Sequence, residues 1–161
     1  MKAKREYLQS AMFGFNDALV STTGVIVGVS TGTSDKDVVI LAGIVTILVE
    51  ALSMGAGQYL SSKSAHQLAG NKSFRTSAIG GVIMFVSYFL AGLVPLLAVI
   101  LFPLGYSRQV AIGAALIGLF ILGYYKGKIV NVSPGRSAIE VVVIGGIATL
   151  IGLVAGSIFA V

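Results

Sequence analysis

The segment VVILAGIVTILVEALSMGAGQYLSSKS, residues 38–64, decides the fold. Its first twelve residues carry no charge, and a single carboxylate, Glu50, follows them. About 20 consecutive apolar residues in a helix cross the hydrocarbon of a bilayer. The run shows no alternation of period two, and its length exceeds that of ordinary strands, so a helix is expected. Its last residues, Tyr59 to Ser64, are mostly polar. The second helix should therefore project about two turns past the membrane surface, at about 1.5 Å per residue.

Outward from this segment the pattern repeats. Four further apolar runs, residues 8–31, 77–102, 107–125 and 137–160, are long enough to span. The sequence predicts an all-α membrane protein of five transmembrane helices in one domain, with the second helix extended beyond the inner surface. The breaks have physical causes. Ser34 or Asp35 can cap the second helix. Gly70 to Lys72 forms a turn, Pro103 ends the third span, and Pro134-Gly135 separates the last two. Pro95 lies inside the third span and should kink it, because proline lacks a backbone donor.

Composition agrees. Of 161 residues, 56% are apolar and only 11% charged, where a soluble domain carries about a quarter. There is no cysteine, which excludes disulfides, thiolate metal sites and cysteine nucleophiles. The net charge of +5 would suggest nucleic acid in a soluble chain. Here the basic residues flank apolar runs and form no clustered face, so no nucleic-acid partner is expected. The basic Met1–Glu6 flank resembles a signal peptide, but Asn16 and Asp17 interrupt the run and no A-x-A-like site follows. It reads as a retained first span.

With the N-terminus cytoplasmic, Lys2, Lys4, Arg5, Lys63, Lys72, Arg75, Lys126, Lys128 and Arg136 fall inside, and only Lys36 and Arg108 fall outside. That bias is the positive-inside pattern, and five spans then put Val161 on the opposite side.

Two acidic residues lie within spans. Glu50 sits about 18 Å along its helix, near mid-bilayer, and Asp17 lies in the first span. An ionised carboxylate at a helix centre costs about 2.5–3.5 kcal/mol on insertion scales, so it needs a partner, a proton or a cation. No basic residue lies mid-span. Glu50, Met54 and Gln58 recur every four residues and share a helix face. Ser61 continues that stripe and Ser53 lies beside it. Asp17 and Ser21 start a similar stripe on the first span. A mixed oxygen and thioether set suits a borderline divalent ion such as Fe²⁺ or Mn²⁺.

Competing readings stay open here. Asp17 could cap a helix that begins at Ala18, Glu50 could be a protonated packing residue, and Met54 could be core. Glu140 is expected to pair with Arg136, four residues away. His66, the sole histidine, falls in the inner loop and reads as solvated. Gly24, Gly28 and Gly32 form a flat stripe, as do Gly152 and Gly156. Such stripes let helices approach closely, either within one chain or between two copies. No nucleophile–base pair is visible, so an enzyme is not expected.

The motif FGFNDALVSTTG, residues 13–24, resembles the first-helix motif of the vacuolar iron transporter family, and VEALSMGAGQYLSSKS, residues 49–64, resembles its second-helix motif. Gly135-Arg136 and IGGIA at 144–148 are similar to the start of its last helix. The resemblance implies an Fe²⁺ or Mn²⁺ transporter that exchanges metal for protons, with no resident cofactor. It implies a homodimer with the path near the subunit interface, and export from the cytosol across a cell or storage-organelle membrane. By motif position it makes Asp17 and Met54 metal ligands, with Glu50 and Gln58 beside them. Asp17 and Glu50 would couple protons, while Ser21, Ser53 and Ser61 would line the path. Departures are Ala18 for a usual glycine, Gln58 where many relatives are acidic, and Ala65 where glutamate often follows. Residues 65–75 contain no acid, so the glutamate-rich cytosolic insert of longer relatives is absent. The alternatives are a transporter of another cation and a non-transporting scaffold or accessory subunit.

Overall fold

The computed structural model describes residues 2–70 and 73–158. Five helices follow one another: α1 Lys2–Gly32, α2 Lys36–Leu68, α3 Phe74–Leu101, α4 Leu104–Val130 and α5 Pro134–Ile158. All five are long and apolar enough to cross a membrane, as the sequence predicts. Each expected span lies within its helix, apart from the ends of the third and fifth. The third stops at Leu101, and the predicted end of the fifth, Ala160, lies outside the described residues, as does Lys72.

The breaks form as their residues require. Asp35 caps α2, its carboxylate accepting from the backbone N–H of Asp37 at 2.9 Å and of Val38 at 3.4 Å. Asn131 ends α4 in the left-handed conformation at φ 58°, and the N–H of Val132 reaches back to the Gly127 carbonyl. That is the 6→1 closure that satisfies orphan carbonyls at a helix end. Pro95 is buried inside α3, which continues helical through it.

The helix α2 has 33 residues. At 1.5 Å per residue it is about 50 Å long, against about 30 Å of hydrocarbon. It also runs past Ser64 to Leu68, so His66 lies on the helix and not in a loop. The loop expectation fails because Ala65, His66 and Gln67 carry no helix breaker, and the first positive-φ residue is Gly70.

The helix α1 packs against all four others, with α3 and α5 its largest partners. The helix α2 packs on α1 and α3, and α5 on α1 and α4. Two buried clusters form the core. One joins Ala18, Ala51, Tyr88 and Leu119, and the other joins Ile26, Ile47, Val99 and Ala111. Both use small residues on at least one helix, which brings the axes close.

The glycine stripes meet each other. A Cβ on Gly28 would lie 3.0 Å from the Gly152 carbonyl oxygen, and Cβ atoms on Gly152 and Gly156 would collide with the carbonyls of Gly24 and Gly28. The stripe of α1 therefore packs on α5 of the same chain, the first of the two arrangements expected from sequence. Glu140 is also corrected. Its nearest cation is Lys126, Nζ to Oε2 4.0 Å, and not Arg136. Gly123 and Gly127 press α4 against Ser137 and Ala138, which carries Lys126 to Glu140.

Candidate metal path

Asp17 lies in the middle of an unbroken helix, so it caps nothing. Ser21, one turn on, donates its hydroxyl to the Asp17 carbonyl at 2.7 Å. The Tyr88 hydroxyl lies 2.6 Å from the same Ser21 oxygen. A serine hydroxyl has one proton, and here it is spent on the carbonyl. Tyr88 must therefore donate to Ser21. Tyr88 is 0% exposed, and its ring fixes the hydroxyl between α1 and α3, one turn from Asp17. Asp17 and Glu50 lie close enough to feel each other's charge, and Tyr88 lies near both.

Ala51 and Met54 hold α2 in this cluster, Ala51 fully buried and Met54 packed against it. Glu50, beside Ala51, is exposed on the single chain, as are Ser53, Gly57 and Ser61. These four share one flank of α2, at intervals of three and four residues. One chain thus leaves a carboxylate and two hydroxyls uncovered along a helix otherwise faced with Leu48, Val49 and Leu52. The buried Glu50 expected from sequence is not achieved within one chain, because α2 packs only on α1 and α3.

Toward the N-terminal end of α1 the contacts stay polar or small. Gln58 is half-buried, and its amide lies 3.8 Å from where a Gly80 Cβ would sit; Ser10 Oγ lies 3.5 Å from the same point. Beside Gly14, the Met84 sulfur lies 3.2 Å from a would-be Cβ. Gly55 and Gly81 bring α2 and α3 together, a Cβ on Gly55 falling 3.0 Å from the Gly81 carbonyl oxygen. Ser10, Gln58, Met84 and Met54 therefore form a close-packed lane of polar and sulfur side chains between α1, α2 and α3, on the N-terminal side of Asp17.

At the N-terminal end of α1, Glu6 meets α2, whose His66 reaches α3. His66 Nε2 lies 3.0 Å from Glu6 Oε1, and His66 Nδ1 lies 3.1 Å from Ser77 Oγ. Ser62 donates to Glu6 Oε2 at 3.4 Å. The structure thus brings Asp17, Ser21, Glu50 and Met54 together, sets Gln58 further along the lane, and leaves Ser53 and Ser61 on the open flank. Sequence reasoning missed Glu6, His66, Met84 and Tyr88. Four-residue spacing on α2 could have linked His66 to Ser62, Gln58 and Met54; nothing local marks Tyr88. Among the described residues no three His, Cys, Asp or Glu side chains gather in one place. A metal site in one chain must include thioether, amide, hydroxyl or water.

The pattern that defines the VIT family matches residues 8–78 and 68–157, and the two pieces join at the turn between α2 and α3. The chain is 25% identical to vacuolar iron transporter homolog 4 of Arabidopsis thaliana over 158 residues, covering 89% of this chain and 78% of that protein. It is 28% identical to the uncharacterized protein MJ0645 of Methanocaldococcus jannaschii over 165 residues, covering 90% and 82%. Against vacuolar iron transporter 1 of Arabidopsis thaliana it is 25% identical, covering 89% and 82%, but spread over 206 aligned positions.

Proposed function

The chain belongs to the VIT family, and we propose that it carries a divalent transition metal, Fe²⁺ or Mn²⁺, across a bilayer in exchange for protons. The observation that supports this reading is that Asp17, Glu50 and Met54 lie near one another on two membrane-crossing helices, with no ion pair to either carboxylate among the described residues. The names of its relatives, vacuolar iron transporters and their homologs, support iron as the cargo.

The chemistry follows from charge. Two nearby carboxylates held from water disfavour double ionisation, and a divalent cation removes that cost. Protons and metal therefore compete for the same oxygens. Metal arriving from the inner end displaces protons, and protons from the far side displace metal. The Met54 sulfur favours borderline ions over hard Ca²⁺ or Mg²⁺. Tyr88, through Ser21, fixes the turn of α1 that bears Asp17.

The exposed Glu50 flank supports a homodimer. A carboxylate facing acyl chains is costly, and a second copy facing the same flank would gather four carboxylates around one path. The excess of basic residues on one side supports a cytosolic N-terminus, and the names of the relatives, vacuolar iron transporters, support transport out of the cytosol, across a storage-organelle or cell membrane.

The test is metal uptake into proteoliposomes by wild type, Asp17→Asn and Glu50→Gln. Each variant should lose at least about tenfold in rate, the scale of an interaction worth about 1.4 kcal/mol or more, while remaining folded and dimeric. Unchanged Fe²⁺ and Mn²⁺ uptake in both variants would defeat the proposal. Competition by Zn²⁺, Co²⁺ and Ca²⁺ in the same vesicles reads the selectivity.

A further inference from the structure

We propose that Glu6 and His66 form a capture site for the transported divalent cation at the inner end of the bundle, with Ser62 as a further oxygen. The proposal rests on the metal-transport reading above and adds to it a site on different residues.

The argument begins with proton counting. Ser77 donates its hydroxyl to the Ser73 carbonyl at 3.3 Å. Its oxygen can also accept, and His66 Nδ1 lies 3.1 Å from it. His66 Nε2 faces Glu6 Oε1 at 3.0 Å, and a carboxylate oxygen only accepts. With the imidazole proton on Nδ1, Nε2 presents a bare lone pair, and a cation, either a second proton or a metal, then joins it to Glu6.

The dimensions suit a metal. Transition-metal bonds to imidazole nitrogen and carboxylate oxygen are about 2.1 Å, so adjacent ligands at a right angle lie about 3.0 Å apart. The observed separation has that span. The donor set of imidazole nitrogen and carboxylate oxygen fits the borderline ions that the deeper site takes. The Ser77 hydroxyl on Nδ1 is the outer contact that orients a metal-binding histidine.

Location and strength suit capture. The His66 and Glu6 side chains are 17% and 31% exposed, so water reaches them while both stay held. Two protein ligands and a weak hydroxyl leave the remaining positions to water, which keeps binding loose enough for release. His66, Ser62, Gln58, Met54 and Glu50 follow one another every four residues along α2, each step about 6 Å. Capture and the deep site thus lie on one helix, with Gln58 and Met54 between them. Residues 65–75 hold no acid, so the segment after His66 offers no carboxylate of its own for this task.

The chain has one histidine, which makes the test specific. Mn²⁺ is added to tag-free, full-length Asp17→Asn/Glu50→Gln protein, whose deep carboxylates are neutral, and electron spin-echo modulation is recorded. The site predicts coupling of Mn²⁺ to an imidazole ¹⁴N, and its loss in the same protein bearing His66→Gln. Glutamine can still hydrogen-bond Glu6 and Ser77, so the variant keeps the helix clamp. In otherwise wild-type proteoliposomes His66→Gln should raise the KM for Mn²⁺ about tenfold, with maximal rate within about twofold. Absence of the nitrogen signal, or an unchanged KM in His66→Gln, overturns the capture site. The spin-echo arm needs no transport, so it reads this site even if the deep-site variants prove to carry metal normally.

Discussion

The two flanks of α1 use small residues for opposite ends. Toward α5, Gly24 and Gly28 meet Gly152 and Gly156 backbone to backbone, with Thr31 beside Gly156. Toward α2 and α3, Gly55 and Gly81 also meet backbone to backbone, while Gly14 lies against Met84 and Gly80 against Ser10 and Gln58. The same residue type welds one side and opens a polar lane on the other. The difference lies in what surrounds the close contacts: glycine, alanine and a threonine at the α1–α5 seam, and polar and sulfur side chains beside those toward α2 and α3. The seam should govern stability, and the lane should govern transport.

Gly152→Val attacks the seam and carries the largest expected effect. Its branched side chain would collide with the Gly24 backbone, which cannot yield as a flexible side chain does. We expect a loss of about 3 kcal/mol, the upper range for overpacked cores, seen as a clear fall in the melting temperature of purified protein. A variant that melts like wild type would mean that the α1–α5 seam is not closely packed. Tyr88→Phe attacks the lane. It removes one hydrogen bond, about 1 kcal/mol, and leaves the ring in place. Its melting temperature should fall slightly, while metal flux falls severalfold because Asp17 loses the hydroxyl bridge that steadies its turn. Equal flux in Tyr88→Phe and wild type would remove Tyr88 from the path. Glu140→Gln touches neither region. The Lys126–Glu140 pair is exposed and 4.0 Å long, and such surface pairs contribute about 0–1 kcal/mol. Its stability and flux should match wild type within error, and a lost flux would place a third carboxylate in the mechanism.

The seam and the spans were legible in sequence because each depends on one helix at a time. Apolar runs such as 38–49 announce themselves, and so do glycines at four-residue spacing. The lane was half legible. Asp17, Glu50 and Met54 stand out because a carboxylate in an apolar run has few explanations. Tyr88 does not stand out, since an aromatic residue in an apolar span looks like core, and only the packing of α3 on α1 sets its hydroxyl against Ser21. His66 was misplaced because polar sequence after Ser64 looks like loop, although it holds no glycine or proline before Gly70. Its partner Glu6 lies 60 residues away, a distance no local pattern bridges. Glu140 was assigned to Arg136 on spacing along one helix, while the glycines of α4 brought Lys126 closer.

The central claim is that the paired carboxylates halfway through the bundle bind the transported ion. Anomalous diffraction at the iron edge, from crystals of the protein soaked anaerobically in Fe²⁺, addresses it directly. The account predicts an iron peak within bonding distance of the Asp17 and Glu50 carboxylates and the Met54 sulfur, on the face where two copies meet. Saturating iron with no peak at these side chains, and Glu50 packed against acyl chains, would contradict it.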